Sequence, residues 1–168
     1  MTAVDYLKHL CAPWQSLYSN SSGVSVAVTA THIVSLVVGG GLAIAADRTT
    51  LRALRRETPD WPYHLAELHA VHRPVVIMLT LLFISGALLA AADIETFATS
   101  VLFWIKLSLV ALLLLNGSVL YNAETRLARA HDAGAITAGL QLRLKLTSYA
   151  SLALWLLTAI TGTVLTIS

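Results

Sequence analysis

Charged residues are scarce in this sequence, where they make up only 12% of the 168 residues. Soluble domains carry about twice that fraction, roughly a quarter of their residues. Hydrophobic residues make up 57% of the chain, so polar groups are too few to cover a surface in water. The composition therefore excludes an ordinary soluble domain, and lipid is the expected solvent for most of the surface.

Cysteine is nearly absent as well, since Cys11 is the only one. A single cysteine excludes an internal disulfide and a thiolate metal cage. The formal net charge is only +2, and no basic cluster is interleaved with aromatic residues, so we expect no nucleic-acid partner. The first twenty residues lack an apolar core before a small-residue cleavage site, so we expect no cleaved signal peptide.

Long apolar runs dominate the rest of the chain, at residues 24–46, 74–92, 101–121 and 146–167. A helix needs about 20 apolar residues to cross a hydrocarbon core of about 30 Å. The runs are continuous rather than alternating, which excludes membrane-spanning strands. The sequence therefore predicts an all-α fold, in which residues 1–168 form one integral membrane four-helix bundle.

Positive charge is unevenly distributed among the connections between these spans. The second connection carries only acidic charge, at Asp93 and Glu95. Loops rich in Lys and Arg stay in the cytoplasm. This bias predicts a multi-pass membrane protein with both termini on the outer side; in the bacterial inner membrane that side is the periplasm. The first and third connections hold nine of the eleven Lys and Arg residues: Arg48, Arg52, Arg55, Arg56, Arg73, Arg126, Arg129, Arg143 and Lys145.

Local patterns predict how the helices pack and where they break. Small residues four apart in the first span share one helix face and allow close approach of a neighbouring helix. A helix start is expected near Asp60, and breaks are expected at Gly134 and Gly139. The first twenty residues are predicted to form a short segment at the outer membrane–water interface. The small-residue series is Ala27, Thr31, Ser35, Gly39 and Ala43.

Two ionisable residues lie deep inside the predicted spans. His32 is within about two residues of the midpoint of the first span, and Lys106 is about five residues inside the third. Intramembrane ionisable residues mark functional sites by default. His32 could ligate a metal or form a hydrogen bond between helices. Lys106 could balance a haem propionate, a quinone oxygen or an anion, or extend outward to Asp93 or Glu95.

A second polar level is expected at the cytoplasmic ends of the spans. His69 and His72 are three residues apart and share a helix face. Imidazole nitrogen suits haem iron, copper or zinc. His32 and His72 differ in depth by about 15 Å, however, and the last two spans contain no histidine, so no pair of axial haem ligands is obvious. The same level could gather Asp47, Arg48, Asn116, Thr147 and Tyr149.

Two stretches carry a family resemblance, THIVSLVVGGGLAIAADRTTLRAL and AVHRPVVIMLTLLFISGALLAAADIETFATSVLFWIKLSLVALLLLNG. They resemble small bacterial four-helix membrane proteins that are similar to the membrane domain of copper-resistance protein D and, more distantly, to b-type cytochrome bundles. The resemblance covers about two thirds of the chain. It implies haem or copper handling, and it draws attention to His32, Asp47, Arg48, Lys106 and Asn116.

Three functions remain open at this point, and so does the question of whether the chain is an enzyme. Four-helix bundles build cofactor sites between facing helices. The first function is therefore haem b binding, for electron transfer or quinol chemistry, with His32, Lys106, His69 and His72 as site residues. The second is copper or other metal handling by the three histidines. The third is a non-catalytic subunit in a homo-oligomer or a larger membrane complex.

Overall fold

The computed structural model describes residues 3–56 and 60–165, and every regular element in these residues is a helix. Side-chain oxygens accept hydrogen bonds from backbone N–H groups in the first turn of five helices, as is usual for N-caps. The caps are Ser21, Asp60, Asp93, Ser100 and Thr137. The helices are α1 (Ala3–Asn20), α2 (Ser22–Ala53), α3 (Trp61–Ala92), α4 (Ile94–Thr99), α5 (Val101–Asp132) and α6 (Ala138–Leu165).

Four of these helices, α2, α3, α5 and α6, are long and apolar enough to cross a membrane. They contain the predicted spans, except that residues 166 and 167 lie outside the described part of the chain. The expected helix start at Asp60 is confirmed. Gly134 ends α5 with a φ of 63°, as expected of a break. The expected break at Gly139 is wrong, because Gly139 lies in the first turn of α6.

The spanning helices are longer than a bilayer needs. A helix of 32 residues, such as α2, α3 or α5, measures about 48 Å, against a hydrocarbon core of about 30 Å. The surplus projects mostly at one end of the bundle, where α2 ends, α3 begins, α5 ends and α6 begins. We call it the basic end, because the arginine-rich connections lie there. The end that carries α1 and α4 is called the opposite end.

Close backbone contacts hold α2 at the centre of the bundle, between α3 and α6. A Cβ atom placed on Gly39 would lie 2.8 Å from the Cβ of Met78 in α3. One placed on Gly40 would lie 3.1 Å from the Trp155 ring in α6. Small residues drive helix association in lipid because they allow backbones to approach. The predicted packing face of α2 is therefore confirmed at Ser35 and Gly39, whereas Ala27 and Thr31 are exposed.

Large apolar side chains face outward around the middle of the bundle. Val37, Phe83, Leu115 and Ile160 are each more than half exposed. In water such a surface would be costly, at roughly 25 cal/mol per Å² of apolar area. Lipid removes that cost, so the outward-facing apolar surface agrees with a membrane-embedded bundle.

The projecting helix segments at the basic end form a hydrophobic core of their own. Its centre consists of Trp61, Leu65, Ala123, Leu127 and Leu144, which α3, α5 and α6 contribute. Ala123, Leu127 and Leu144 are fully buried. This core fixes the relative positions of the helices where they leave the membrane.

At the opposite end, α1 lies against the end of α3. The indole Nε1 of Trp14 donates to the carbonyl of Leu88 at 2.9 Å, and the amide of Gln15 donates to that of Ala91 at 3.2 Å. Lys8 pairs with Glu95 of α4. These contacts hold α1 against the ends of α3 and α4.

Candidate functional site

His32 lies between α2 and α3, half-buried, with its Nδ1 atom 3.1 Å from the Ser85 hydroxyl. The Ser85 hydroxyl in turn donates to the Leu81 carbonyl at 2.6 Å, so it can accept a hydrogen bond from an Nδ1–H group. Gly86 makes room for the ring, since a Cβ there would lie 3.1 Å from the His32 Cε1 atom. The imidazole therefore has a hydrogen-bond partner and a fitted place in the helix interface.

Lys106 lies near His32, close enough for their charges to interact. Its Nζ atom would be 3.2 Å from a Cβ on Gly162 of α6, so the side chain points into the bundle. Glu95, one of the expected outer partners, is paired with Lys8 instead. In the described ranges Lys106 forms no salt bridge, and its role beside His32 at a cofactor site stays a prediction.

His69 and His72 lie on the outer face of α3 at the basic end, and both are exposed. His72 stacks on Tyr121 with the ring centres 4.8 Å apart. Residues 3–56 and 60–165 contain no group of three or more His, Cys, Asp or Glu side chains placed to hold a metal ion. The two histidines are thus separated from His32, and their role as ligands stays a prediction.

The groove beside His32 is smaller than most ligand cavities. Ligand cavities in proteins have volumes of about 300–1,000 Å³. The groove that Ser85 lines beside His32 has a volume of about 160 Å³ and is open to the lipid-facing surface. The ring already bonds Ser85, and Gly86 of α3 packs against its edge. Haem binding at His32 remains a prediction, but this arrangement favours a hydrogen bond between helices.

The most unusual side chain in the bundle is Asp47 of α2, which is only 2% exposed. Neither of its carboxyl oxygens forms a hydrogen bond with any residue in the described part of the chain. Burying a carboxylate without a partner costs several kcal/mol or more in a low-dielectric interior. This carboxyl group therefore requires a bound proton or another cation.

Hydroxyl groups of α6 face the Asp47 carboxyl group. They belong to Ser148 and Ser151, which lie near hydrogen-bond distance of the carboxyl group, although neither contact meets full hydrogen-bond geometry. Ser148 is fully buried, and its hydroxyl forms no hydrogen bond within the described residues. Next to Ser148, the Asn116 amide of α5 donates to the Thr147 carbonyl at 3.0 Å and ties α5 to α6. Polar groups of α2, α5 and α6 thus lie close together at this level of the bundle.

A second carboxyl group, Glu124 of α5, lies within electrostatic range of Asp47. Glu124 is partly buried, whereas the neighbouring Arg126 is exposed. Across the described chain the only salt bridge is the Lys8–Glu95 pair, so neither carboxyl group has a basic partner. We call the group of Asp47, Glu124, Ser148 and Ser151 the Asp47 site. Its donor atoms are all oxygens, which suits protons and hard cations rather than copper or haem iron.

The interior between the Asp47 site and His32 is not uniformly polar. Ser35 and Thr158 are buried there, and the Thr158 hydroxyl has no hydrogen-bond partner. The Trp155 ring packs on Gly40 at the level between Thr158 and Ser151. Two polar regions therefore occupy the bundle axis, and a packed indole separates them.

The sequence did not predict several of these residues as parts of a site. Asp47 and Asn116 were marked, but Glu124, Ser148 and Ser151 were not. Two signals would have pointed to them. Asp47 continues the four-residue series of small residues in α2, and the polar residues of α6 recur at helical spacing. The α6 series is Thr147, Ser148, Ser151 and Thr158. The burial of His64 was not predicted either. Its Nε2 atom forms no hydrogen bond with the described residues, and its ring packs edge-on against Trp61.

A comparison of the chain with protein-family models, curated proteins and solved structures finds no match. The resemblance to copper-resistance protein D and to b-type cytochromes therefore stays an expectation from the sequence. The chemistry of the bundle interior has to carry the functional argument.

Proposed function

We propose that this membrane protein moves protons through the interior of its helix bundle, with Asp47 as the proton-binding group. The observation that carries the proposal is the buried Asp47 carboxyl group, whose two oxygens form no hydrogen bond with the described residues. Ionisable residues that face a bundle interior commonly form proton relays. A proton satisfies an isolated carboxyl group without any change in the surrounding helices.

The arrangement provides groups that can pass a proton on. A protonated Asp47 can donate to the hydroxyls of Ser148 or Ser151, and Glu124 offers a second acceptor towards the basic end. In the other direction lie Thr158, Ser35 and then His32. Asp47 and His32 are 15 residues apart in α2, which corresponds to about 22 Å. The contact between Trp155 and Gly40 must open for transfer along this route, so we expect slow, gated transport rather than a continuous channel.

Proton flux into liposomes tests the proposal. The purified protein is reconstituted with a trapped pH-sensitive dye, and a potassium gradient with valinomycin provides an inside-negative potential. Wild-type protein is expected to acidify the interior faster than protein-free liposomes do. Asp47→Asn keeps the shape of the side chain but cannot release a proton, so its rate should fall to that of protein-free liposomes.

Asp132→Asn is the matched control, because Asp132 is exposed at the end of α5 and should be dispensable. A circular dichroism melt establishes that Asp47→Asn is folded. Equal flux in wild type and Asp47→Asn would contradict the proposal. So would flux that requires sodium and leaves the dye unchanged, because the transported ion would then be a metal cation.

The same preparation discriminates the alternatives from the sequence. A Soret band that disappears in His32→Ala would support haem-dependent electron transfer in place of proton transport. Bound copper lost from the His32, His69 and His72 variants would support metal handling. A protein with neither flux nor cofactor would be best explained as an accessory subunit.

A further inference from the structure

A second cavity lies at the basic end, between the end of α5 and the start of α6. Its volume is about 330 Å³, and it is open on one side. Two arginines line it, Arg126 of α5 and Arg143 of α6, together with Thr137, Gly139 and Leu140. The cavity shares no residue with the Asp47 site, so its role is independent of the proposed proton transport.

The cavity presents only positive charge. Neither arginine forms a salt bridge within the described ranges, where Lys8–Glu95 is the only pair. Guanidinium groups bind phosphate through two parallel hydrogen bonds, and this geometry makes arginine the preferred residue for phosphate recognition. Two arginines on different helices that line one cavity can contact one phosphate from both sides.

The backbone at the start of α6 adds donors to the same cavity. Thr137 caps the helix by accepting from the Leu140 N–H, at 3.4 Å to its hydroxyl and 3.1 Å to its carbonyl. The N–H groups of Ala138 and Gly139 belong to the first turn and have no acceptor within the helix. A Cβ on Gly139 would have no atom within 4 Å, so the backbone at this position is open to a ligand.

The position of the cavity relative to the membrane indicates the source of the phosphate group. Arg143 lies three residues before the apolar run 146–167, and Arg126 lies five residues after the run 101–121. At 1.5 Å per residue, both side chains begin about 5–8 Å outside the hydrocarbon core, at the depth of lipid headgroups. Basic pockets between membrane helices at this depth bind anionic lipid headgroups.

We infer that this cavity binds the phosphate group of an anionic membrane lipid. The headgroup phosphate lies between Arg126 and Arg143, against the first turn of α6, while the acyl chains extend along the lipid-facing surface of α5 and α6. A bound lipid joins these two helices beside the connection between them, residues 133–137.

Lipid-dependent thermal stability tests the inference. The detergent-purified full chain is melted after addition of phosphatidylglycerol, phosphatidylcholine or inorganic phosphate. Phosphatidylglycerol is expected to raise the melting temperature of the wild type more than phosphatidylcholine does. The variant with Arg126→Gln and Arg143→Gln should lose this extra rise. Gly139→Phe should lose it too, because the ring occupies the cavity without changing the charge.

The control carries Arg48→Gln and Arg52→Gln, which remove the same charge from exposed positions of α2 at the same end. This variant should keep the full response to phosphatidylglycerol. An equal loss in the control would overturn the inference, because the effect would then come from net charge alone. Equal responses to the two lipids would also overturn it. If inorganic phosphate alone produces the whole rise, the ligand is free phosphate and the assignment to a lipid is wrong.

Discussion

The buried polar side chains of this bundle differ in whether they form hydrogen bonds. His32 has Ser85 as a partner, and Ser85 has a backbone carbonyl. Asp47 and Ser148 are more deeply buried, and their side chains form no hydrogen bonds with the described residues. A satisfied buried group stabilises the fold, whereas an unsatisfied one costs free energy and needs another explanation. This contrast is the reason why the functional proposal rests on Asp47 and not on His32.

Replacing Ser85 with alanine tests the structural role of His32. Hydrogen bonds between membrane helices contribute about 0.6 kcal/mol on average and up to about 1.7 kcal/mol. Because Ser85→Ala leaves a half-buried imidazole nitrogen without its partner, we expect a loss in this range, measured by unfolding in mixed micelles. Ser108→Ala should change stability little, since that serine is exposed and bonds only the Trp104 carbonyl of its own helix. A loss of equal size in both variants would contradict a specific His32–Ser85 contact.

At the scale of the helix pair, glycine determines how closely α2 approaches its neighbours. Gly39 and Gly40 are consecutive residues that face different helices, α3 through Met78 and α6 through Trp155. Gly41, the next residue, faces open space. The three glycines look alike in the sequence, but only two of them allow a close contact.

The consecutive glycines offer a matched pair of substitutions. Gly39→Ala places a methyl group 2.8 Å from the Met78 Cβ, so the helices must separate. We expect destabilisation of about 1–3 kcal/mol, as is typical of overpacking. Gly41→Ala should be neutral or slightly stabilising, because alanine is the better helix former. Unfolding curves of the two variants in detergent compare them directly, and equal stability would show that α2 and α3 do not pack as described.

At the scale of the whole molecule, four spans place α1 and the end of α6 at the same end of the bundle. The connections at the other end carry the arginines. The charge bias predicts that this basic end faces the cytoplasm. The Asp47 site then lies nearer the cytoplasm, and the His32 region lies nearer the periplasm.

Reporter fusions test this orientation. Fusions at Arg56, Glu95 and His131 should report cytoplasm, periplasm and cytoplasm, because the first and third connections retain the positive charge. A paired set of alkaline phosphatase and fluorescent-protein fusions at each position provides the measurement and its control. A periplasmic signal at Arg56 or His131 would reverse the orientation and, with it, the direction in which Asp47 receives protons.

The sequence alone determined the helices and the spans, because both depend on local properties. The length of an apolar run must match a hydrocarbon core of about 30 Å, and caps such as Asp60 and breaks such as Gly134 act on neighbouring residues. The sequence also marked His32, Lys106 and Asp47 as costly groups inside or at the edge of the membrane, because burial cost follows from residue type and depth.

Only the tertiary structure decided which of these groups meet. Asp47 faces Ser148 and Ser151, about a hundred positions away along the chain, whereas His69 and His72 face outward. The rotation of each helix about its axis decides this, and hydropathy does not specify it, because lipid and leucine are equally apolar. Contacts such as Gly39 with Met78 and Gly40 with Trp155 fix the rotation. The Asp47 site exists because those contacts turn three polar helix faces towards one another.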